Sequence, residues 1–478
     1  MKRQLFYLVS IVLLFTACAK DQGNYNYVDV PSPTVAHVDS LYTVVIGDSL
    51  IIKPTITINS KGGNNYDLHW SVAVPELLSS LEFDGKELHM LFALGAASYN
   101  ARLTITDENN GQKYFRNFII KGVTEFTKGT VILSALADHS TLSFVTPHDS
   151  LMADIYGKLN KDPLPPGGVQ LCGPLNHNLT DAYVDKMWVR YTGNGSGVVN
   201  VSTTTMMKQG NLVDNFFGDP GSVKAEGLYE TYGGTANGIF SGQFYWGYTY
   251  TYGKAPEYGK WGTSLIPINS SKYYLSNQFV QTDAYQLGFD TLSHSFMWIG
   301  PGNTFFGNIN LTVTPPADTT IFNPLKLKKN MVYMHRFSDD KMFAVADSAG
   351  KKKFELRFAV QFQGILLFSP QSMAKFKGDS LITANTLWDS SPLSITYFTS
   401  GSDIYAYNLD NKFLTKLATS FTGQTISMIK VMDDGATLAV GVPGKVVYLN
   451  TSTGHNGDIK KTTDGIPGSP TDILVLNN

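Results

Sequence analysis

Short stretches of alternating or continuous apolar residues recur along the whole chain and are separated by turn-forming pairs. Leu41–Ile46 and Leu50–Ile58, for example, are divided by Gly47-Asp48, and Asp67–Val74 alternates between apolar and polar positions. A period of two is typical of strands, whereas an amphipathic helix places apolar residues three or four positions apart. The pattern therefore predicts an all-β protein.

Residues 35–123 are predicted to form a small sandwich of two sheets. Further strands are expected at Leu88–Leu94, Ala101–Ile105 and Tyr114–Ile120, with a turn at Asp107–Gln112. About seven short strands in a segment of this length are typical of an immunoglobulin-like β-sandwich. Trp70, inside one of these strands, is expected to be the buried core aromatic residue. The segment contains no cysteine, which excludes the disulfide-linked antibody type.

Residues 125–478 are richer in glycine and aromatic residues and are predicted to form a β-propeller-like domain. Two successive meanders near the C-terminus resemble neighbouring propeller blades. Their predicted strands are Leu393–Phe398, Asp403–Leu409, Phe413–Leu417, Ile426–Met432, Ala436–Val442 and Lys445–Leu449. No fixed period and no repeated Trp-Asp or kelch motif accompanies them. We therefore predict a degenerate propeller of about six to eight blades, with a pair of sandwiches as the alternative.

The N-terminus carries a different apolar pattern. Lys2 and Arg3 precede the apolar run Leu5–Phe15, which is too short to span a bilayer and is typical of a signal peptide. The run ends in Phe15-Thr16-Ala17-Cys18, which resembles the lipobox of bacterial lipoproteins, where the cysteine is acylated before cleavage. We expect residues 1–17 to be removed, the mature chain to begin at a lipidated Cys18, and residues 18–34 to form a tether. An ordinary signal peptide followed by a chance cysteine is the alternative.

The tether and the first predicted domain together resemble a known family. Residues 18–27 read Cys-Ala-Lys-Asp-Gln-Gly-Asn-Tyr-Asn-Tyr, and the strands Leu68-His69-Trp70 and Leu103–Asp107 follow. This order is similar to that of the PKD-like lipoproteins of Bacteroidota, whose genes usually accompany an outer-membrane nutrient importer of the SusC/SusD type. The resemblance implies a lipid-anchored protein of the outer membrane, exposed at the cell surface and accessory to such an importer. It implies no catalytic residue.

Charge and cysteine content narrow the function classes. Removing residues 1–17 takes away Lys2 and Arg3 and no acid, so the formal net charge goes from −2 to −4. Nucleic-acid binding requires clustered basic residues, so no nucleic-acid partner is expected. After lipidation Cys172 is the one remaining thiol, and an internal disulfide is excluded. We expect Cys172 to be packed rather than nucleophilic, because no basic partner accompanies it in the sequence.

The most unusual stretch is an aromatic ladder in which every second residue carries a ring. Alternate residues of a strand share one face, and Tyr and Trp rings combine apolar faces with polar edges that suit sugars or peptide side chains. We therefore predict a ligand-binding surface centred on Trp246, Tyr248 and Tyr250. A core strand is the alternative. The complete ladder consists of Phe244, Trp246, Tyr248, Tyr250 and Tyr252.

Catalytic and metal-binding motifs are absent from the sequence. No two of the nine histidines are as close as four positions apart, and neither a nucleophile elbow nor a phosphate loop occurs. We therefore predict no metal and no cofactor, and a non-enzymatic surface lipoprotein that captures glycan or peptide ligand or contacts the importer. The alternatives are a propeller-borne hydrolase or lyase and a purely structural importer subunit. Several acids or histidines meeting in one concave pocket would favour the enzyme, and a shallow aromatic-lined groove would favour capture.

Overall fold

The computed structural model describes residues 32–58, 63–75, 78–173, 186–231, 235–247, 259–316, 319–348 and 352–477. The chain divides into two compact units, with the boundary between Val123 and Thr124. Nearly all regular structure in both units is β-strand, which confirms the all-β prediction. One short helix, α1 (Ile155–Leu159), and four single 3-10 turns are the helical elements of the described residues.

The first unit is a β-sandwich built from one large sheet and two short strand pairs. Its strands are β1 (Thr34–Ala36), β2 (Leu41–Val45), β3 (Ser49–Ile52), β4 (Thr55–Thr57), β5 (Tyr66–Val74), β6 (Ser79–Asp84), β7 (Leu88–Leu91), β8 (Ser98–Asp107) and β9 (Lys113–Val123). The large sheet has the order β2-β9-β8-β5-β6, and the pairs are β1-β4 and β3-β7. β2 runs parallel to β9, and the other pairings are antiparallel.

Alternation along β5 explains how the sandwich core forms. Leu68, Trp70, Val72 and Val74 point inward and are buried, while the residues between them remain partly exposed. Trp70 is 0% exposed, and its indole Nε1 donates to the backbone oxygen of Gly85 at 3.0 Å. The prediction that Trp70 is the core aromatic residue is confirmed.

The second unit is a seven-bladed β-propeller in the described part of the chain. Blade 1 contains β10 (Lys128–Ala135), β11 (Ser140–Val145), β12 (Leu151–Met152) and β37 (Ser469–Asn477); blade 2 contains β13 (Gly168–Cys172), β14 (Met187–Tyr191), β15 (Gly197–Val201) and β16 (Lys208–Asn211); blade 3 contains β17 (Ala225–Glu230), β18 (Ala236–Phe240) and β19 (Gln243–Tyr245). Blade 4 contains β20 (Leu275–Gln281), β21 (Gln286–Asp290), β22 (Ser295–Gly300) and β23 (Thr304–Gly307); blade 5 contains β24 (Leu311–Val313), β25 (Asn330–Ser338), β26 (Lys341–Asp347), β27 (Lys353–Phe362) and β28 (Leu366–Lys375). Blade 6 contains β29 (Trp388–Ser391), β30 (Ile395–Ser400), β31 (Asp403–Asn408) and β32 (Phe413–Lys416); blade 7 contains β33 (Met428–Met432), β34 (Thr437–Val442), β35 (Lys445–Asn450) and β36 (Asp458–Asp464).

The propeller is closed by pairing between strands from the two ends of the unit. β37, the last strand of the chain, pairs antiparallel with β10, the first strand of the unit, with Val131 opposite Leu474. β37 lies at the edge of its sheet and contacts the first strands of blades 2 and 7. It therefore supplies the inner strand of blade 1 and removes the free ends that an open array of sheets would have.

Each blade is buried on both faces, which explains its continuous apolar strands. In β34, Leu438, Val440 and Val442 pack toward blade 6, whereas Ala439 packs toward blade 1. Seven apolar clusters fill the seven interfaces between neighbouring blades, and an eighth fills the sandwich. Gly441 permits a close approach to β37, because a Cβ atom there would lie 2.6 Å from the backbone oxygen of Pro470.

Candidate functional site

The axis of the propeller is the first place where functional side chains could converge. The inner strands β37, β13, β17, β20, β25, β29 and β33 are all sheet edges and follow one another around the axis. Each of these strands contributes one side chain that bonds to the inner strand of the next blade. The seven contacts are Asp472 to Leu171, Gln170 to Leu228, Tyr229 to Asn277, Gln278 to Met334, Tyr333 to Ser390, Asp389 to Val431 and Lys430 to Asp472. We call this set the interblade belt.

The two carboxylates of the interblade belt accept bonds mainly from the backbone. Asp389 accepts the N–H groups of Val431 at 2.6 Å and of Ser390 at 2.8 Å. Burial raises the pKa of Asp389, against the opposing effect of the Val431 N–H. Asp472 accepts the N–H of Leu171 at 2.7 Å and the Nζ atom of Lys430 at 2.8 Å. Each acid therefore holds the backbone of the inner strand of the next blade.

Lys430 and Cys172 are a charged group and a thiol on the inner strands of blades 7 and 2. Burial lowers the pKa of Lys430, but the charge of Asp472 and its hydrogen bond outweigh it, so the net direction is upward. Cys172 is a buried free thiol on β13, and burial raises its pKa strongly, with Glu230 adding to the effect. A protonated, enclosed thiol is a poor nucleophile, as the sequence analysis expected.

His335 lies among aromatic rings on the inner strand of blade 5. Its imidazole is parallel to the ring of Tyr333, with centroids 6.4 Å apart, and meets the edge of Phe337 at 4.7 Å. Burial, assisted by the charge of Arg336, lowers the pKa of His335 to about 4. The imidazole is therefore neutral at ordinary pH and belongs to the apolar packing between blades 5 and 6.

The predicted aromatic ladder lies on blade 3 and is only partly described. Phe244 is fully buried and stacks on Phe279 with centroids 5.3 Å apart, so it belongs to the core, as the alternative interpretation expected for that residue. β19 ends at Tyr245, and Trp246 is partly buried against the same core. Tyr248, Tyr250 and Tyr252 lie outside the described residues. The ligand-binding surface predicted for them stays a prediction.

A shallow groove of about 380 Å³ lies between blades 6 and 7, and sequence reasoning did not identify it. One face of blade 6 forms the groove floor and one wall, and the loop between β35 and β36 forms the other wall. The hairpin between β31 and β32 carries an exposed aromatic ring, Phe413, at the groove. The lining residues are Leu393, Ile395, Tyr397, Ala406, Asn408, Asn411, Phe413, Thr415, Leu417 and residues 451–456. We call this the blade 6–7 groove.

Two asparagines give the groove its polar character. The side-chain oxygen of Asn408 accepts the backbone N–H groups of Asp410 at 2.9 Å and of Asn411 at 3.2 Å. The side-chain oxygen of Asn411 accepts the backbone N–H of Phe413 at 2.8 Å. Because a backbone N–H can only donate, the oxygen of each amide must face the turn. The NH₂ groups of these two lining residues are therefore the donors that the turn leaves available.

The sequence contains a local pattern that could have pointed to this groove. Residues 408–413 read Asn-Leu-Asp-Asn-Lys-Phe, a turn with two asparagines followed by an aromatic residue at the start of a strand. Asparagine commonly bonds its own backbone in such turns. Phe413 stays 67% exposed because β32 is the outermost strand of its blade. The position of β32 in the blade is evident from the strand order and not from the sequence.

A second cavity of about 330 Å³, between blades 7 and 1, has a different chemistry. Lys128, Lys460 and Lys461 lie at this cavity together with two carboxylates, those of Asp149 and Asp433. Lys461 pairs with Asp149, and its Nζ atom lies 5.3 Å from the centroid of Tyr448. The blade 6–7 groove, in contrast, contains no Lys, Arg, Asp or Glu side chain in its lining.

Metal-binding and membrane-spanning features are not found in the part of the chain that the structure describes. No group of three or more His, Cys, Asp or Glu side chains there has the arrangement to hold a metal ion. No helix among the same residues has the length and apolar character needed to cross a bilayer.

Comparison with known proteins finds a family model that matches the N-terminal part of the chain. Residues 18–166 match the protein-family model of the PKD-like family. The match therefore extends beyond the sandwich through α1 and the first three strands of blade 1. No curated protein matches the sequence of this chain.

Several solved structures are similar to this chain at low identity. A quinoprotein alcohol dehydrogenase-like protein from Bacteroides thetaiotaomicron is 13% identical, with 93% of this chain and 99% of that chain covered and a TM-score of 0.43. A candidate 6-phosphogluconolactonase from Bacteroides uniformis is 12% identical, with 73% and 98% covered and a TM-score of 0.43. The extracellular domain of a candidate one-component system from Bacteroides thetaiotaomicron is 9% identical, with 88% and 65% covered and a TM-score of 0.38. The propeller assignment itself depends on the strand pairings described above.

Proposed function

We propose that this chain is a lipid-anchored lipoprotein of the outer membrane, exposed at the cell surface and accessory to a SusC/SusD-type nutrient importer. Its propeller captures a glycan or peptide ligand for the importer. The observation that carries the capture role is the blade 6–7 groove, which is shallow, uncharged and has the exposed ring of Phe413 at its edge. The lipobox-like segment ending at Cys18 and the PKD-like match of residues 18–166 support the anchoring and the importer association.

The mechanism is local concentration. A lipid anchor confines the binding protein to the same membrane as the importer, which raises its effective concentration there. Modest affinity for the ligand is then sufficient, because a released ligand is delivered close to the transporter. Such a role requires an accessible recognition surface and no covalent chemistry.

Purification from native membranes tests the partner. A C-terminally tagged full chain is isolated from gently solubilised outer membranes, and co-purifying proteins are identified by mass spectrometry. We expect a SusC/SusD-type pair to accompany the wild-type chain, and the Cys18→Ser variant, which cannot be acylated, to be lost from the membrane fraction. Recovery of the acylated chain alone from intact outer membranes would contradict the importer role.

The two alternatives make different predictions. A propeller-borne hydrolase or lyase needs acids that face a common pocket, whereas Asp389 and Asp472 accept backbone bonds from neighbouring strands. A purely structural importer subunit would co-purify with the transporter but bind no free ligand. Ligand binding by the isolated full chain therefore separates capture from the structural role.

A further inference from the structure

We propose that the blade 6–7 groove binds a neutral carbohydrate, with Phe413 as the surface on which a sugar ring stacks and with the amides of Asn408 and Asn411 as donors to its hydroxyl groups. This inference deepens the proposed capture role by naming the site and the ligand class. Three properties of the groove carry it: the exposure of the ring, the orientation of the amides and the lack of charge.

The ring of Phe413 is held at the surface by strand register. Phe413 begins β32, the outermost strand of blade 6, and lies directly opposite Asn408 on β31. The side chain remains 67% exposed although Tyr397 on the same face of the blade is buried. An aromatic face exposed to water has an unfavourable hydration free energy. Covering that face with an apolar surface removes this cost and so favours binding. The C–H face of a pyranose ring is such a surface.

The amides flank this ring with fixed donors. Their oxygens are bound to backbone N–H groups of the same turn, so the orientation of each amide is set before a ligand arrives. Neither NH₂ group has a hydrogen-bond partner among the described residues. Sugar hydroxyls accept such bonds, and preorganised donors reduce the entropy lost on binding.

The lack of charge selects a neutral ligand. The fifteen lining residues include no Lys, Arg, Asp or Glu. The imidazole of His455, which also lines the groove, has its Nδ1 atom 2.9 Å from the carboxylate of Asp458. An anionic polysaccharide would find no cation in this lining, in contrast to the lysine-bordered cavity between blades 7 and 1.

A peptide is a poorer match for the same groove. Extended peptides commonly bind by adding a strand to a sheet edge or by placing charged ends in complementary pockets. The available edge, β32, is only four residues long and carries Lys416, and short lysine-bearing edges discourage strand addition. The groove also offers no charged group for a peptide terminus. The exposed phenyl ring of Phe413 beside the amide donors of Asn408 and Asn411 matches a sugar more closely.

The test is affinity electrophoresis and calorimetry with defined probes. The protein is residues 19–478, which contain both compact units and lack the cysteine that is expected to be acylated. The neutral probes are amylopectin, xyloglucan, galactomannan and yeast α-mannan; the controls are polygalacturonate and a tryptic digest of casein. We expect binding to at least one neutral polysaccharide that is unchanged between about 0.05 and 0.5 M NaCl, because no charge contributes. Phe413→Ala should weaken that binding about tenfold or more, and Asn411→Ala about threefold to tenfold.

Phe115→Ala provides the matched control, because Phe115 is a 59% exposed phenylalanine on a strand of the sandwich. It should leave binding unchanged, and all variants should keep the wild-type circular dichroism spectrum and melting temperature. Three results overturn the proposal: no binding to any neutral probe, binding confined to polygalacturonate or peptides, or undiminished binding by Phe413→Ala. Co-purification with an importer is measured separately, so failure here leaves the importer association standing and removes only the carbohydrate site.

Discussion

The Nζ atom of Lys430, in the inner strand of blade 7, lies 2.8 Å from the Oδ1 atom of Asp472, in the closing strand of blade 1. The Oδ2 atom of the same carboxylate accepts the backbone N–H of Leu171 in blade 2 at 2.7 Å. One side chain therefore connects three blades at the place where the two ends of the propeller meet.

We expect Asp472→Ala to lower the free energy of unfolding by about 2 kcal/mol, because it leaves the buried N–H of Leu171 without an acceptor. The lost ion pair contributes less, since 40% of the Lys430 side chain remains exposed to solvent. Asp472→Asn keeps an oxygen for the N–H and should cost about half as much. Urea denaturation followed by circular dichroism measures both values.

Asp403→Ala is the matched comparison for this prediction. Asp403 pairs with Lys416 at 2.7 Å on the outer part of blade 6, at a surface where ion pairs contribute about 0–1 kcal/mol. If Asp472→Ala proved no more costly than Asp403→Ala, the closing role of the interblade belt would be wrong.

The environment of Cys172 predicts an unreactive thiol. In a chain expressed from residue 19, Cys172 is the single cysteine. Its burial raises the pKa, so the reactive thiolate is scarce and enclosed. We expect no reaction with Ellman's reagent at pH 8 in the folded chain and one thiol per chain in urea. Rapid labelling of the folded protein would instead indicate a reactive cysteine on the axis.

Much of this fold follows from local pattern. The six strands predicted for blades 6 and 7 agree with the observed strands to within two residues at each end, because each is an apolar run bounded by a tight turn. Trp70 was identifiable as a core residue because it lies at an apolar position of the alternating segment Asp67–Val74. The blade count was bounded only between six and eight, since closure depends on the pairing of β37 with β10, more than 300 positions apart in the chain.

The candidate site was less accessible to sequence reasoning. The aromatic ladder drew attention because of its composition, yet Phe244 packs in the core. Phe413 was predicted only as the first residue of the strand Phe413–Leu417, and nothing in the sequence marks it as exposed. Its exposure arises from the position of β32 at the edge of the sheet, and the opposite wall of the groove comes from residues 451–456 in another blade. Such proximity is a property of tertiary packing.

Replacement of the sandwich core residue tests the first unit separately. Trp70→Phe removes both buried volume and the bond from Nε1 to the Gly85 oxygen, and should destabilise the sandwich by about 1–3 kcal/mol. Hydrogen exchange measured by mass spectrometry should show faster exchange in Tyr66–Val74 and in the neighbouring strand Ser98–Asp107. Phe115→Ala, at an exposed position of the same sheet, should change the exchange little. Equal effects from the two variants would argue against Trp70 as the core residue.

His335 predicts a loss of stability on mild acidification. Its pKa is about 4 in the folded chain and has the ordinary value of 6.5 when unfolded, so between these values the unfolded chain binds the extra proton. The contribution of neutral His335 is complete above pH 6.5 and declines as the pH falls toward 4, with a total of about 3 kcal/mol at most. We therefore expect the urea midpoint to fall on going from pH 7 to pH 4.5, and to fall by more in the wild-type chain than in His335→Phe. Phenylalanine cannot be protonated and keeps a ring between Tyr333 and Phe337.

Carboxylates titrate in the same pH interval in both chains, so the informative quantity is the difference between the two midpoint shifts. His148→Gln is the control for the loss of an exposed histidine. Parallel pH profiles for wild type and His335→Phe would show that His335 is hydrated in the folded chain rather than part of the packing between blades 5 and 6.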